Sequence, residues 1–376
     1  MYKRIFVADG NFKADHVRQK NEDGDVWLSE GSGMIPKREE YLTFLASAIE
    51  RLTVSNTIPL WLMVYRCQIR SDRYRCRATQ APHKKLKDSY FFFQKAPCEN
   101  TFRAITNALQ ASKLCDITGV FSIACGRHGC YAPQALVDMF KGEQQKNGDF
   151  AFIKSLIFTH VEPEQGVLLI YDIVCQYIIY LLERIGKHLP PGLIIDAAIG
   201  LFHVHAHKDQ CFFQYATTFI PGAGIVAGEI LESLWSTLNS ISPTARTATL
   251  AHRAEMLDDH TTDSNHKKMI GMVSGLRRSY RRSIDMLDHA RTYYQNLTYE
   301  AGRTAIEKWT NDIERVESTR KEEIEGATVN RGVVSMDIYA AKLPGDTPVD
   351  QHTPPAIPSS PLGSWMELSL VVEEKQ

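Results

Sequence analysis

Three carboxylates that lie far apart in the sequence are the residues whose type and setting could do chemistry. Asp9 closes the stretch KRIFVAD, Asp172 interrupts the apolar run VLLIYDIVCQY, and Glu229 stands where a helix is predicted to begin. An unpaired carboxylate among buried apolar side chains is unfavourable by roughly several kcal/mol, or it stays protonated. Carboxylates from separate elements suit a pair of magnesium ions, which activate a nucleophile and stabilise the leaving oxygen of a phosphodiester. The three acids are therefore a candidate metal site.

Each of these carboxylates also has an ordinary structural explanation. Asp9 precedes Gly10 and can belong to a turn, Asp172 can cap the helix that follows it, and Glu229 can be a solvated helix residue. Short acidic matches are common by chance, so spacing alone favours the structural explanation.

A second candidate group combines cysteine and histidine. Cys125, His128 and Cys130 follow one another in CGRHGC, and Cys98 lies upstream. Thiolate and imidazole are ligands that zinc prefers, although this spacing is tighter than in ordinary zinc fingers. A strand hairpin with two buried thiols explains the pattern equally well.

The composition is that of a globular protein with a sizeable core, since 44% of the 376 residues are hydrophobic. Lysine and arginine (43) nearly balance aspartate and glutamate (44), so any basic surface must be local. The longest apolar segments fall short of the roughly 20 residues that a membrane span needs, and the N-terminus lacks the layout of a signal peptide. The eight scattered cysteines predict reduced thiols in an intracellular compartment.

Alternating strand-like and helix-like segments must position these side chains. Apolar runs predict strands that end at Asp9 and at Asp172, and a strand pair within residues 118–133. Apolar residues at three- and four-residue spacing predict helices over residues 37–53, 100–114, 133–141, 150–158 and 174–187, from near residue 228, and from residue 244 to about 326. This alternation predicts an α/β fold, a sheet with helices packed on its faces.

Two segments do not follow the alternation. Residues 57–97 mix WLMVY with the basic RCQIRSDRYRCR without a sustained period, which predicts a peripheral or poorly ordered insertion. Residues 343–361 hold six of the sixteen prolines and predict an unstructured linker. We therefore expect a core over residues 1–243, a helical extension over 244–340 and a disordered tail over 341–376.

Seven blocks of sequence carry a family resemblance. They are DGNF (9–12), TGVFSIACGRHGC (118–130), KGEQQKNGDF (141–150), YDIVCQY (171–177), FHVHAHKDQC (202–211), PGAGIVAGEILESLWSTLN (221–239) and LDDHTTDSNHKKM (257–269). In this order they closely resemble the Kyakuja-Dileera-Zisupton (KDZ) transposases, which are abundant in fungi. Seven ordered blocks are far more specific than any single motif.

The resemblance implies an RNase H-like mixed sheet flanked by helices and a catalytic core of the DDE type, which cuts and joins DNA strands with two Mg²⁺ or Mn²⁺ ions. It makes Asp9 the acid of the first strand and Asp172 the acid at the end of the fourth. The third acid is Glu229 or Glu232, which lie one helical turn apart, and Glu229 is preferred. The implied partners are DNA, both element ends and target, and a homo-oligomer, with no membrane partner, in the nucleus.

The block between the second and third acids contains His203, His207 and Cys211. The resemblance makes His207 a catalytic candidate, and these side chains could contact the scissile phosphate, order the metal shell or bind zinc. A histidine pair in the core is an equally good explanation, since HxxxH is common without metal.

Six basic residues on one predicted helical stretch are candidates for contacts with DNA phosphates: Lys267, Lys268, Arg277, Arg278, Arg281 and Arg282. Charge runs of this size are more often a solvated helix face. The transposase resemblance is what favours a DNA-binding role.

The sequence departs from the family pattern at several positions. Family members usually carry a long N-terminal region with a cysteine cluster, whereas Asp9 is the ninth residue here, which predicts a chain truncated at its N-terminus. Ala227 stands where family members usually have an Asp before Gly-Glu. Residues 57–97 differ from the sequence that family members have in this region, which indicates an insertion or a translated intron. Family members often have a His two positions after the equivalent of Cys98, where this chain has Asn100, which argues against a zinc site with four ligands.

Three functions remain open at this stage. The first is a DDE-type transposase core, including a degenerate or truncated copy. The second is a non-catalytic DNA-binding protein derived from a transposable element, and the third is an intracellular interaction module stabilised by zinc. Retention of all the acids favours the first function over the second, while the missing N-terminal region favours the second. Carboxylates that converge within metal-bridging distance would favour the first over the third.

Overall fold

The computed structural model describes residues 4–20, 24–28, 30–48, 115–224 and 226–325. Several expectations lie outside these residues, namely the helix over 100–114, the insertion over 57–97, Cys98 and the tail over 341–376.

The fold is built around a mixed sheet of five strands, in the order β5-β4-β1-β6-β7. β1 pairs antiparallel with β4, and β4 antiparallel with β5, whereas β1, β6 and β7 run parallel to one another. A separate two-stranded sheet joins β2 and β3. The strands are β1 (Arg4–Asn11), β2 (His16–Val17), β3 (Cys115–Ile117), β4 (Gly119–Cys125), β5 (Val137–Met139), β6 (Val167–Tyr171) and β7 (Ile195–Ala198).

Helices flank this sheet, and a long helical region follows it. They are α1 (Arg38–Ser47), α2 (Gln145–Phe158), α3 (Val174–Tyr177), α4 (Leu181–Ile185), α5 (Asp209–Tyr215), α6 (Ile230–Leu238), α7 (Ser242–Ala245), α8 (Leu250–Ala301) and α9 (Arg303–Glu325). Short 3₁₀ turns connect several of them, including His203–Ala206. The predicted α/β class, with its helical C-terminal region, is thereby confirmed. Within the described residues, none of the helices is both long enough and apolar enough to cross a membrane.

Strand alternation divides the core into two layers, one on each face of the sheet. On β1, Phe6 and Ala8 pack with α2 residues such as Phe152 on one face. Ile5 and Val7 pack on the other face with α6 residues such as Leu231 and Trp235. β6 is buried on both faces, which explains its uninterrupted apolar sequence VLLIY.

The predicted helix over residues 133–141 is wrong, because these residues contain β5 instead. Val137 pairs with Phe121 and Met139 with Gly119, so this short segment extends the sheet antiparallel to β4. Leu136, Val137 and Met139 are buried in the two core layers. Tertiary pairing therefore outweighs the local pattern, which could not separate a short strand from one turn of helix.

Other predicted helices differ from the structure at their ends. α2 begins at Gln145, five residues before the predicted start, because Gln144 and Asn147 form a reciprocal capping box. The predicted helix over 174–187 is divided into α3, α4 and two 3₁₀ turns. α1 ends at Ser47 rather than at residue 53, and residues 49–53 lie outside the described part.

The long helix α8 begins in the core and continues with exposed side chains. Ala251, Leu257 and Thr261, near its start, are buried. Its apolar side chains further along are largely exposed, with Tyr280 68% and Leu276 49% accessible to solvent. The first three turns of α8 therefore pack against the core, whereas most side chains of the later turns are exposed to solvent.

Arg253 is the buried charge that makes this attachment. Its Nη1 donates to Asp138 Oδ1 of β5 at 2.6 Å, and its Nη2 donates to the Ala14 carbonyl at 2.9 Å. Arg253→Met should lower the free energy of unfolding by about 3 kcal/mol, because it leaves Asp138 without its closest partner in a half-buried position. Arg38, 3.8 Å from Asp138, compensates only in part.

Chemical denaturation of Arg253→Met and of a control, Arg291→Met, tests this prediction. Arg291 is exposed on the same helix and pairs with Asp288 at 3.9 Å, so its replacement should change stability by less than about 0.5 kcal/mol. Equal effects of the two replacements would contradict the structural role assigned to Arg253.

Candidate active site

Asp9 and Asp172 lie side by side near the C-terminal ends of the parallel strands β1 and β6. We call this end of the sheet the carboxylate edge. β1 and β6 are parallel neighbours, and their register pairs Ala8 with Tyr171. Asp9 follows Ala8 on β1 and Asp172 follows Tyr171 at the end of β6, so the two acids are neighbours across the strand pair. Alternation places both on the face of the sheet that carries Val7 and Ile170, the face covered by α6.

The helix α6 brings further acidic and polar groups to this edge. Glu229 is its N-cap residue, and Glu232 lies in its first turn. One turn further along, the Trp235 indole Nε1 donates a hydrogen bond to Asp9 Oδ2 at 2.7 Å. The Gly10 amide donates to Asp9 Oδ1 at 2.7 Å, so both carboxylate oxygens of Asp9 accept a hydrogen bond.

His203 lies between three of the carboxylates. Its Nδ1 is 3.2 Å from Asp172 Oδ2, and its Nε2 is 3.1 Å from Glu229 Oε2 and 2.9 Å from Glu232 Oε1. The 3₁₀ turn His203–Ala206 directly follows the loop after β7, which delivers the imidazole to the edge where β1 and β6 end. The ring therefore connects the acid of β6 with both acids of α6.

The electrostatics of this cluster are those of several acids held together in a poorly solvated place. Burial, followed by repulsion from Asp172, raises the pKa of Asp9 to about 7. Burial also raises the pKa of Asp172 to about 6, although His203 opposes this shift. Hydrogen bonds to Glu229 and Glu232 raise the pKa of His203 to about 11, and in return His203 lowers the pKa of Glu232. At neutral pH His203 is a cation that partly neutralises the carboxylates.

Glu143 is a further acid at this site, on the opposite face of the sheet edge. It is partly buried beside Asp9, and it accepts a hydrogen bond from the hydroxyl of Tyr171 through Oε1. Its second oxygen, Oε2, is buried without a hydrogen-bond partner among the described residues. Burial, then repulsion from Asp9, raises the pKa of Glu143 well above the ordinary value. An orphaned carboxylate oxygen next to other acids is a position that favours a bound cation.

Two glycines permit the close approach of these acids to the backbone. A Cβ atom on Gly10 would lie 2.6 Å from Glu143 Oε2, and one on Gly200 would collide with Glu229 Oε1. Glu229 Oε1 also accepts a hydrogen bond from the Phe202 amide at 3.1 Å. A side chain at either glycine would therefore push an acid away from the cluster.

The donor set of this edge fits a hard divalent cation such as Mg²⁺ or Mn²⁺. Asp9, Asp172, Glu229, Glu232 and Glu143 supply carboxylate oxygens, the ligands that these ions prefer. Burial raises the pKa of Asp9, Asp172 and Glu143, so these three carboxylates lack sufficient positive charge nearby in the metal-free protein. A divalent cation would supply it.

The other predicted site residues lie elsewhere. His207 does not join the carboxylates, because its Nδ1 is 3.6 Å from Cys175 Sγ and it forms a group with Cys175 and Cys211. Cys125 Sγ lies 3.3 Å from His128 Nδ1 in the turn after β4, with Cys130 beside them. The six predicted DNA-binding residues are all exposed on α8: Lys267, Lys268, Arg277, Arg278, Arg281 and Arg282.

Two residues of the edge were not singled out from the sequence. Glu143 lies in the block KGEQQKNGDF, whose residues are mostly polar, so no apolar run in the sequence distinguishes it from a solvated surface acid. Trp235 follows Glu232 by three residues in GEILESLW, so helical spacing could have placed both on one face of α6.

Comparison with models of protein families gives a match over most of the chain. The model of the family described as KDZ, Kyakuja-Dileera-Zisupton transposase, matches residues 2–265. Searches of curated proteins and of solved structures give no match. The matched range includes every acid of the sheet edge, together with His203 and Trp235.

Proposed function

Because the chain belongs to the KDZ transposase family, we propose that it is the catalytic core of a DNA transposase that cleaves and joins DNA strands. The observation that carries the proposal is the convergence of Asp9, Asp172, Glu229 and Glu232 at one edge of the sheet. Acids from three separate parts of the chain meet there. A stabilising role for the fold does not explain this arrangement, since burial raises the pKa of Asp9 and Asp172.

An RNase H-like core of the DDE type is the fold we propose for this activity. Its expected first acid lies on the first strand and its second acid at the end of the fourth. In the five-stranded sheet described here, β1 is the first strand in chain order and β6 the fourth. Asp9 lies on β1 and Asp172 directly follows β6, which supports the proposal.

In this proposal Asp9, Asp172, Glu229 and Glu232 would hold the divalent ions, and Glu143 lies beside Asp9 on the opposite face. Bound Mg²⁺ or Mn²⁺ supplies the activation of a hydroxyl nucleophile and the stabilisation of the leaving phosphate oxygen. Trp235 and the Gly10 amide fix the orientation of Asp9 through its two hydrogen bonds. Protonated His203 holds Asp172 and the two glutamates together through its two ring nitrogens.

A metal-dependent nicking assay tests the proposal. The full chain is incubated with Mg²⁺, with Mn²⁺ or with a chelator, on DNA that carries the ends of the element from which the chain derives. Cleavage that requires the metal and occurs at the element ends is the expected result. Lack of cleavage with either metal, by folded protein that binds the same DNA, would overturn the catalytic proposal.

A non-catalytic DNA-binding protein derived from such an element is the second candidate. It is favoured by one observation, the position of His203, because a cation already pairs with Asp172, Glu229 and Glu232 without metal. Thermal unfolding with and without Mg²⁺ distinguishes the two candidates. Stabilisation by Mg²⁺ at millimolar concentration favours the catalytic core, and its absence favours the second candidate.

DNA is the partner that membership of a transposase family implies, and we propose that α8 contacts its backbone. Arg277, Arg278, Arg281 and Arg282 are exposed on two successive turns of this helix. Replacing all four with alanine should weaken DNA binding in low salt and reduce the slope of log K against log salt by about 3 to 4, since each phosphate contact contributes about 0.9. Fluorescence anisotropy over a series of salt concentrations measures both quantities.

The control for this measurement is the double replacement Arg303→Ala and Arg315→Ala. These two arginines lie on α9 and already pair with Glu307 and Asp312 at 2.9 Å and 3.0 Å. Their replacement should leave the slope of log K against log salt nearly unchanged. If the α8 variant keeps the wild-type slope, the phosphate contacts must be assigned to another surface.

Two further expectations stay proposals, a location in the nucleus and assembly into a homo-oligomer. The exposed apolar side chains of α8, including Leu276 and Tyr280, offer a surface for self-association. Analytical ultracentrifugation of the full chain measures the assembly state directly.

A further inference from the structure

Two cysteines and a histidine that could bind a metal ion lie close together outside the carboxylate cluster. None of the three has a role in the proposed DNA cleavage. Cys175 lies on α3, His207 follows the 3₁₀ turn His203–Ala206, and Cys211 lies on α5. One ligand atom from each residue lies within 4.8 Å of the other two. Both cysteines are buried, with 8% and 7% of their surface exposed.

We propose that Cys175, His207 and Cys211 bind one zinc ion, with a water molecule or a further group in the fourth position. Bonds of about 2.3 Å to sulfur and about 2.0 to 2.1 Å to nitrogen place the S and N ligands of a tetrahedral ion about 3.6 Å apart. The distance from Cys175 Sγ to His207 Nδ1 is 3.6 Å. This pair therefore already has the separation that zinc requires, and the two pairs that include Cys211 lie within 4.8 Å.

The chemistry of the ligands separates this site from the carboxylate edge. Thiolate and imidazole select zinc over magnesium, whereas the acids of the edge select hard cations that prefer oxygen. Each site is therefore matched to a different class of ion. Loading one site should leave the other available.

The position of the group gives the zinc ion a structural role. Cys175 lies three residues after Asp172, and His207 lies four residues after His203. A metal bonded to both would fasten the segment that carries Asp172 to the segment that carries His203. The ion would thus hold the two side chains at the 3.2 Å separation that the structure shows.

The alternative is a pair of buried thiols beside an imidazole, packed as small apolar side chains. The metal content of the purified full chain distinguishes the two explanations. After expression with added zinc and purification under reducing conditions, the wild type should hold about one zinc per chain. Cys175→Ser and Cys211→Ser should each lose it, while Cys115→Ser, on β3 and outside the group, should keep it.

A variant that folds poorly could lose zinc for a trivial reason, so a second measurement is needed. His207 is only partly buried, and His207→Gln keeps both thiols in the core. Its circular dichroism spectrum should match that of the wild type, while its zinc affinity falls by about tenfold or more. In wild-type protein loaded with Co²⁺, a thiolate-to-cobalt charge-transfer band should appear, and it should be absent from both serine variants.

Two results would overturn the zinc site. One is wild-type protein that takes up no zinc on reconstitution under reducing conditions. The other is zinc that remains in Cys175→Ser and Cys211→Ser but is lost from Cys125→Ser, which would assign the ion to the turn after β4. Neither measurement involves DNA, so a failure of the zinc site is distinguishable from a failure of the transposase proposal.

Discussion

Asp172→Asn is expected to abolish divalent-metal-dependent DNA cleavage by this protein. If Asp172 holds a catalytic metal ion, the amide removes one negative charge and one oxygen ligand from the position directly after β6. Metal ions stabilise the transition state of phosphodiester cleavage by several kcal/mol, and each 1.36 kcal/mol corresponds to a factor of ten in rate. We therefore expect the cleavage rate to fall by about 100-fold or more.

The same replacement should leave folding and DNA binding intact. Burial raises the pKa of Asp172 to about 6, so at neutral pH its charge opposes folding, and asparagine should maintain or raise the thermal stability of the metal-free protein. His203 keeps its contacts with Glu229 and Glu232. The arginines of α8 are exposed and lie outside the acid cluster, so their phosphate contacts should not depend on the ions of the sheet edge.

A charge-matched control is Asp312→Asn, which removes a carboxylate that pairs with Arg315 on the exposed helix α9. It should cleave at the wild-type rate. Undiminished cleavage by Asp172→Asn would remove Asp172 from the mechanism. If wild type itself neither cleaves nor gains stability with metal, yet binds DNA with a steep salt slope, the protein is the non-catalytic derivative.

Asp9 should make the stability of the metal-free protein depend on pH. Its pKa is raised from 3.8 to about 7, so between these values the folded state binds more protons than the unfolded state, and the free energy of unfolding falls as pH rises. The shift corresponds to at most roughly 4 kcal/mol, since one pKa unit is about 1.4 kcal/mol. Asp172 acts in the same direction over a narrower range, up to about pH 6.

His203 contributes over a different range of pH. Its pKa is raised from 6.5 to about 11, so the stability that its ion pairs provide is complete below pH 6.5 and is lost as pH rises towards 11. Asp9→Asn should therefore flatten the pH dependence between about 4 and 7 and leave the slope above pH 7 in place. The two groups can be separated by this difference.

Urea denaturation of wild type and Asp9→Asn from pH 4 to 8, without metal, measures the effect. Asparagine has one acceptor oxygen where the carboxylate has two, so the loss of one hydrogen bond, from Trp235 or from Gly10, adds a constant offset. The change of the difference with pH is the quantity that reports on Asp9. Adding Mg²⁺ at pH 8 should stabilise wild type more than the variant. A difference that stays constant from pH 4 to 7 would show that the Asp9 carboxylate is not destabilised by its surroundings.

Much of the candidate site could be predicted from the sequence, because strands and helix starts leave local signals. The uninterrupted apolar run before Asp172 predicts a strand that is buried on both faces, and the structure contains it as β6. The stretch that ends at Asp9-Gly10 likewise forms β1. Glu229 stands where the sequence predicts a helix to begin, and the structure makes it the N-cap of α6, whereas Glu232 was a candidate only through the family resemblance. These features depend on residues that are neighbours in the chain.

Other features were decided only by the tertiary structure. The parallel pairing of β1 with β6 is what brings Asp9 beside Asp172, over a separation of more than 160 residues, and no local pattern specifies it. The segment over 133–141 became β5 because β4 offers it a partner strand. His203, rather than His207, meets the acids because the 3₁₀ turn after β7 directs the two rings to different groups. Glu143 acquires its role through burial against Gly10 and Tyr171, which come from two different strands. Short-range patterns thus determined most of the elements that carry the acids, while long-range packing decided which side chains share one electrostatic environment.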